Sequence, residues 1–188
     1  ALDRLTAVEG LQRIGPLRDL HLGMLAEFSG LMEEAEKFYR SAASDPDNLG
    51  ARTVLAYGAF LSRTNRSKQA SALFDLHKSQ NPDSILLEPW IARLGEGEEL
   101  PVVVKSPRHG AAEAIYLVAN VLSRQQPSAA HIYVRMVLDL EPEDPVYNTF
   151  LARVLESEGL YGAAVEVLEG IEPTSAYGWL ARLSLSRN

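Results

Sequence analysis

Apolar residues recur at intervals of three and four along most of the chain, the spacing that gathers them on one side of an α-helix. The pattern itself repeats at a longer interval, as two sets of matched positions show. In the first half, Leu22-Gly23, Ala35, Tyr39 and Ala42 recur thirty-five positions later as Tyr57-Gly58, Ala70, Phe74 and His77. In the second half, Leu117, Val121, Ala130, Val134 and Val137 recur thirty-four positions later as Leu151, Leu155, Ala164, Leu168 and Ile171. A repeat of this length predicts a series of similar helical units.

Each unit is predicted to be a pair of antiparallel helices, called A and B here in chain order. In the unit at about 51–84, helix A carries Tyr57 and Gly58 on its apolar side, and helix B carries Ala70 and Phe74. The small residues let the two backbones approach, and the aromatic side chains fill the space beside them.

Residues that interrupt helices stand at corresponding places in the units. Between helices A and B, Gly30, Asn65 and Gly159 predict a left-handed residue just after helix A. The remaining unit has Gln125 there, followed by Pro127, which predicts a different turn. A proline that cannot continue helix B follows it in the pairs Asp45-Pro46, Asn81-Pro82, Glu141-Pro142 and Glu172-Pro173.

These features resemble the tetratricopeptide repeat (TPR) family, whose pattern is an aromatic or apolar residue, Leu-Gly, an aromatic residue, then Ala, Phe and Pro. The match is strongest at Tyr57-Gly58, Ala70, Phe74 and Pro82, and the resemblance covers roughly residues 15–188. The later units depart from it, because Val118 and Ala152 replace the glycine of helix A. The resemblance implies an all-α fold, a right-handed α-α superhelix or solenoid of helix-turn-helix repeats. A looser likeness of Gly110–Ala114 and Leu138–Pro142 to uncharacterised bacterial TPR proteins implies a longer parent protein.

We expect a single solenoid over 1–188, divided by a linker. The N-terminal half, 1–94, holds repeats at about 16–49 and 51–84 and a helix at 85–94; the linker is 95–110; the C-terminal half, 111–188, holds repeats at about 111–144 and 145–173 and a helix at 174–188. The linker is predicted to be irregular because two glycines, Pro101 and the β-branched run 102–104 stand where a helix B is expected.

Both ends of the chain carry an apolar helical stripe without a predicted partner helix. These stripes are Leu2, Leu5, Val8 and Leu11 at the start, and Trp179, Leu180 and Leu183 at the end. Such stripes indicate either a longer protein or a homo-oligomer formed through the terminal helices.

Charge and composition narrow the classes of partner. The formal net charge of −7 and the lack of a Lys/Arg cluster disfavour nucleic acid. We expect no membrane-spanning segment, because nowhere do eighteen apolar residues run together. No export signal is expected at Ala1–Leu11, and the absence of cysteine fits a reducing or an oxidising compartment. Localisation is therefore open: cytoplasmic or, if an export signal was removed, periplasmic.

The residues that carry chemistry are few and scattered. His21, His77, His109 and His131 lie far apart, and none has a second ligand at metal-binding spacing. We therefore predict no enzyme and no catalytic, cofactor-binding or metal-binding residues. The basic stretch 105–110 could meet an anion at a helix N-terminus, but Ser106-Pro107 also reads as an N-cap followed by a proline at N1.

The resemblance to TPR proteins implies that the A helices line a concave surface that binds a protein or peptide ligand. The residues on that stripe are Leu17, Leu20, Met24, Glu27 and Phe28; Arg52, Leu55, Ala59, Ser62 and Arg63; Ala112, Ile115, Ala119, Leu122 and Ser123; and Val146, Thr149, Arg153, Glu156 and Ser157. The predicted peptide-binding residues among them are Met24, Glu27, Phe28, Arg52, Leu55, Arg63, Ile115, Arg153 and Glu156. Arg52 and Arg63 are expected to grip an acidic or C-terminal group, with apolar neighbours fixing the register.

We thus predict a protein-binding scaffold without cofactors. The alternatives are a self-associating structural module and a substrate-recruiting region of a longer enzyme. Within the linker, Leu100–Val104 is apolar and extended, so it either occupies the concave surface as a ligand of its own chain or simply packs as a loop.

Overall fold

The computed structural model of the chain describes residues 15–46, 49–82, 84, 87–173, 177–178 and 181–182. Within these ranges the chain forms nine α-helices and no β-strand. The helices are α1 (Gly15–Phe28), α2 (Met32–Ala42), α3 (Ala51–Arg63), α4 (Ser67–Gln80), α5 (Glu88–Gly95), α6 (Pro107–Leu122), α7 (Pro127–Leu140), α8 (Pro145–Ser157) and α9 (Tyr161–Glu169). Consecutive helices pack as pairs, α1 with α2, α3 with α4, α6 with α7 and α8 with α9. The prediction of an all-α helical-repeat fold is confirmed.

The chain divides into two compact units, residues 1–105 and 106–188. The N-terminal unit contains α1–α5 and the C-terminal unit contains α6–α9. In each helix pair the first helix is the A helix and the second is the B helix, while α5 is an A helix that no B helix follows before Pro107.

Close contact between helices A and B in the N-terminal unit depends on glycine facing an aromatic ring. A β-carbon placed on Gly23 would stand 2.8 Å from Tyr39 Cδ1, and one placed on Gly58 would stand 2.8 Å from Phe74 Cζ. Tyr39 and Phe74 are themselves buried. Because a real Cβ essentially never approaches so closely, only glycine fits at positions 23 and 58 without a shift of the ring.

The C-terminal unit solves the same packing problem with different residues. Its A helices carry Val118 and Ala152 where the N-terminal unit has glycine, and its B helices carry Val134 and Leu168 where the N-terminal unit has aromatic residues. Ala152, Val134 and Leu168 share one buried cluster. Between α8 and α9, alanine on helix A is thus matched by an aliphatic residue on helix B, which keeps this pair close-packed, whereas Val118 of α6 is 42% exposed and lies outside the cluster.

The turn between helices A and B is left-handed at the three predicted positions. The φ angles are +77° at Gly30, +58° at Asn65 and +76° at Gly159. The α6–α7 turn, which has Gln125 at the corresponding place, contains no residue with positive φ. All four turn predictions are therefore confirmed.

Polar contacts join each repeat to the next one within a unit. In the N-terminal unit, Arg66, the N-cap residue of α4, donates to the Glu36 carboxylate of α2 at 2.6 Å. The hydrogen bond from Arg66 lowers the pKa of the Glu36 carboxyl. In the C-terminal unit, His131 of α7 lies 2.7 Å from the carboxylate of Glu158, which follows α8. Glu36 and His131 occupy the same place in their repeats, directly after a buried alanine of helix B, so this position supplies the polar link in both units.

The chain is not helical from Glu96 to Ser106, and Gly97 has a φ of +81°. At the chain ends, the residues of the predicted apolar stripes lie outside the described residues: Leu2, Leu5, Val8 and Leu11 at the start, and Trp179, Leu180 and Leu183 at the end. Tyr177 and Ala181 are buried in the C-terminal unit, and the backbone N–H of Ala181 donates to the Tyr177 carbonyl at 3.0 Å, which is one helical turn.

Candidate functional site

The A helices of the N-terminal unit place seven predicted stripe residues side by side. These residues, called the N-terminal stripe, are Leu20, Met24 and Glu27 of α1 and Leu55, Ala59, Ser62 and Arg63 of α3. Apart from Arg63, which directly follows Ser62, they recur at intervals of three and four, so each set lies along one side of its helix. All of them except Arg63 are buried, although they stand on the side of helix A that faces away from helix B in a repeat of this kind.

The residues that bury much of the N-terminal stripe come from the same chain. Leu100–Val104, called the covering segment, lies against this stripe and is not helical, with a bend at Val103. Leu100 shares a buried cluster with Leu55 and Ala59, and Val104 shares another with Leu20 and Met24. The segment therefore runs from the C-terminal end of α3 towards the middle of α1.

Side chains of α3 bind the backbone of the covering segment at Leu100. The Leu100 N–H donates to Ser62 Oγ at 2.9 Å, and Arg63 Nη1 donates to the Leu100 carbonyl at 2.5 Å. Ser62 Oγ in turn donates to the Ala59 carbonyl at 3.0 Å, which orients its lone pairs towards Leu100. Both polar backbone groups of one extended residue are thus satisfied by neighbouring residues of the stripe, as a peptide ligand requires when it is buried.

Arg63 is held in place by a second set of polar contacts. Its Nη2 forms an ion pair with Glu27, whose side chain is 6% exposed. The hydroxyl of buried Tyr39 donates to the other carboxylate oxygen of Glu27 at 2.8 Å. Burial and the nearby Glu27 charge raise the pKa of Tyr39, so this hydroxyl stays protonated and keeps donating. The guanidinium thus pairs with Glu27 through Nη2 and donates to the Leu100 carbonyl through Nη1.

The structure brings Glu27 and Arg63 together, and it places the other predicted residues of this unit elsewhere on the two helices. Met24 and Leu55 lie in two different buried clusters. Phe28, at the end of α1, is 41% exposed. Arg52, in the first turn of α3, is half-buried.

The C-terminal unit carries a second stripe on its A helices α6 and α8. The predicted residues on it, called the C-terminal stripe, are Ile115, Arg153 and Glu156; Ile115 and Glu156 are half-buried and Arg153 is exposed. The Arg153 guanidinium lies 5.4 Å from the centre of the Phe150 ring, a cation–π arrangement that orients it.

Sequence reasoning missed one link between the A helices of this unit. Glu113 of α6 is buried and accepts a 2.6 Å hydrogen bond from the Tyr147 hydroxyl of α8. His109 stands beside this pair, with its ring edge towards Tyr147 and its Nε2 3.7 Å from Glu113. The only sequence signal is that Glu113 and Tyr147 are thirty-four positions apart, one repeat, which places them at the same level of adjacent A helices.

Other candidate groups serve packing and caps. Ser106 Oγ accepts from the His109 N–H at 3.0 Å, which makes it the N-cap of α6. His77 Nδ1 lies 3.0 Å from the Leu49 carbonyl, in the interior of the N-terminal unit. Across the described ranges, no three His, Asp or Glu side chains converge in a way that could hold a metal ion.

A shallow depression of about 310 Å³ lies between α4 and α5, beside Phe74, Ile91 and Leu94. Its polar lining residues, Ser67, Lys68 and Ser71, are all exposed. Because no buried polar group points into it, the depression offers no chemistry, and the N-terminal stripe is the better defined site.

Comparison with known proteins supports the resemblance seen in the sequence. No protein-family model matches the chain. Over 169 residues the chain is 28% identical to a TPR repeat-containing protein of Dictyostelium discoideum. The alignment covers 80% of this chain but 64% of that protein, so the chain spans less than two thirds of its relative.

Paired helices in series and the likeness to this relative confirm the resemblance to TPR proteins. The chain is therefore an all-helical repeat protein that is similar to tetratricopeptide repeat proteins. The likeness to uncharacterised bacterial proteins stays a prediction. None of the helices in the described ranges combines the length and apolar character needed to cross a membrane.

Proposed function

We propose that the chain is a scaffold that binds an extended segment of a partner protein along the stripes of its A helices. The observation that carries this proposal is the capture of the Leu100 backbone by Ser62 and Arg63. These two residues offer one acceptor and one donor at the spacing of a single extended residue. The same contacts would serve any extended chain, because they involve only backbone atoms of the bound residue.

Apolar residues beside these polar groups supply the remaining contacts. Leu55 and Ala59 share a buried cluster with Leu100, and Leu20 and Met24 share one with Val104. Hydrogen bonds to the ligand backbone, together with apolar contacts to its side chains, fix the register of an extended ligand. The predicted apolar roles of Met24 and Leu55 agree with this proposal, whereas Arg63 is proposed to bind a backbone carbonyl instead of the predicted acidic group.

The C-terminal stripe offers a second surface for the same function. Arg153 is exposed, and Ile115 and Glu156 are half-buried beside it on α6 and α8. An exposed guanidinium that is oriented by Phe150 can donate to the carbonyl or carboxylate of a ligand. We propose no catalytic step for this chain. Self-association through the terminal helices and substrate recruitment for a longer enzyme stay predictions.

Selection from a library of displayed random peptides tests the proposal on the full chain. We expect enriched peptides whose affinity falls at least tenfold on the Arg153→Glu substitution. The matched control is Arg135→Glu, which makes the same charge change at an exposed arginine on the B helix α7. Peptides that lose affinity with Arg135→Glu and not with Arg153→Glu would place the binding surface on the wrong helices, and a selection without enriched peptides would count against binding by the C-terminal stripe.

A further inference from the structure

We infer that the covering segment Leu100–Val104 is a tethered ligand that a partner displaces, and that the N-terminal stripe takes extended apolar segments of the same kind. This inference rests on the proposed function and names its ligand class: a chain with a bulky aliphatic residue at the position of Leu100 and a second one four residues later. It also assigns Ser62, together with Arg63, to recognition of the ligand backbone.

The contacts of Arg63 indicate the ligand class. A guanidinium on a binding surface commonly pairs with a carboxylate, as the sequence predicts for Arg63. Here Arg63 already pairs with Glu27, and its Nη1 donates to the neutral Leu100 carbonyl. We therefore expect the ligand to be an internal apolar stretch of chain with a neutral backbone carbonyl at this position, rather than an acidic or C-terminal group.

The covering segment is anchored at its two ends and is less buried between them. Its buried side chains are Leu100 and Val104, while Pro101, Val102 and Val103 are only half-buried. The flanks on both sides, Glu96–Glu99 and Lys105, are exposed. Because the chain from Glu96 to Ser106 is not helical, the segment can leave without unwinding a helix.

Because the covering segment is tethered to the stripe, its few contacts are enough to keep the stripe covered. A segment joined to its site by a short linker acts at an effective concentration on the order of millimolar. A partner segment of equal intrinsic affinity therefore competes poorly until it is present at high local concentration or makes further contacts. The covering segment thus lowers the apparent affinity of the stripe for weak ligands.

The test uses the full chain and a fluorescent peptide that copies residues 99–105, with blocked ends. In an opened variant, Leu100→Ser with Val104→Ser, we expect the peptide to bind at least tenfold more tightly than to the unchanged chain. Adding Ser62→Ala or Arg63→Gln to the opened variant should weaken binding at least tenfold, whereas adding the control Arg135→Gln should not. A peptide with serine in place of both aliphatic residues should not bind.

Hydrogen exchange of the unchanged chain provides a second measurement that does not depend on the opened variant. We expect the Leu100 amide to exchange at least tenfold faster than the Phe60 amide in the interior of α3, through local release of the segment. Exchange of Leu100 at the rate of the slowest α3 amides would make the segment a fixed part of the core. That result, an opened variant that loses its helical circular dichroism, or a folded opened variant that ignores the peptide would each overturn the inference.

The two proposals can fail separately. Peptides that need Arg153, combined with an opened variant that ignores the copied segment, would remove this inference and leave the proposed function standing on the C-terminal stripe. Failure of both assays would remove the proposed function as well.

Discussion

Gly58 of α3 lies against the ring of Phe74 of α4, where a β-carbon on residue 58 would stand 2.8 Å from Phe74 Cζ. At the matching place in the C-terminal unit, Ala152 of α8 packs in one cluster with Leu168 of α9. The two helix pairs therefore fill a similar space with glycine and an aromatic ring in one case and with alanine and an aliphatic chain in the other.

The first prediction is that residues 58 and 74 are energetically coupled. Gly58→Ala should gain about 1 kcal/mol from helix propensity but lose about 1 to 3 kcal/mol from overpacking against Phe74, which gives a net loss of stability. In the Phe74→Leu background the same substitution should be favourable or neutral. A double-mutant cycle by chemical denaturation should show a coupling of about 1 kcal/mol or more.

The control for this cycle is Gly162→Ala in α9, where an added β-carbon meets nothing within 4 Å. It should be neutral or stabilising by up to about 1 kcal/mol. Strict additivity of the changes at residues 58 and 74 would show that the close approach does not limit packing.

The helical repeat could be predicted from sequence because local patterns determine it. The repeat of small and aromatic residues at thirty-five positions identifies the contact between helices A and B. A residue such as Asn65 is a signal in itself, since asparagine and glycine are the residues that adopt positive φ most readily. Helix ends marked by proline need no knowledge of distant parts of the chain.

The second prediction concerns the turn at Asn65, whose φ is +58°. Asn65→Gly should leave stability unchanged or raise it slightly, because glycine adopts positive φ without steric cost. Asn65→Ala should lower stability by about 1 kcal/mol. The left-handed conformation is sterically unfavourable for alanine, which lacks the polar side chain that helps asparagine to adopt it. Thermal unfolding measures both changes.

A matched control for the turn is Gln125→Ala, because the α6–α7 turn contains no positive φ. This substitution should change the melting temperature little. Equal losses from Asn65→Ala and Gln125→Ala would contradict the conformational explanation.

The third prediction concerns the ion pair between Glu27 and Arg63. Arg63→Met should lower the free energy of unfolding by about 2 to 4 kcal/mol, because it leaves the buried Glu27 carboxylate without its counter-charge. Adding Glu27→Gln should restore a large part of this loss, since the neutral amide can still accept from Tyr39. If the double variant is as unstable as the sum of the single variants, the ion pair is not the reason for the loss.

The fourth prediction is a pH dependence at Glu36. The hydrogen bond from Arg66 holds the folded-state pKa of Glu36 below its ordinary value of 4.5. The ionised form is thus favoured by folding, so its contribution is complete above about pH 4.5 and is lost as the pH falls through the lower folded-state pKa. Glu36→Gln should therefore destabilise the chain by up to about 1 kcal/mol at pH 7, and the difference should shrink on acidification.

Denaturation at a series of pH values checks this dependence, with Glu166→Gln as the control at an exposed position of α9. Glu166→Gln should show a smaller difference across the same range. A difference between the unchanged chain and Glu36→Gln that grows below pH 4.5 would have the wrong sign for a carboxyl with a lowered pKa.

The site was only partly predictable because it depends on contacts between distant residues. The pattern placed Met24, Leu55, Ser62 and Arg63 on the outward side of the A helices, and it identified Leu100–Val104 as an apolar, extended stretch. Nothing local indicates that Arg63 meets Leu100, which is thirty-seven positions away. The choice of Glu27 as the counter-charge of Arg63 likewise depends on how adjacent A helices align side by side.

The most direct test of the central claim, that the A helices bind the ligand, is to map amide and methyl chemical shifts of the full chain during titration with a display-selected peptide. The largest changes are expected at Ile115, Arg153 and Glu156 of the C-terminal stripe. Changes confined to Ile132 and Met136, which are exposed on the B helix α7, would contradict it.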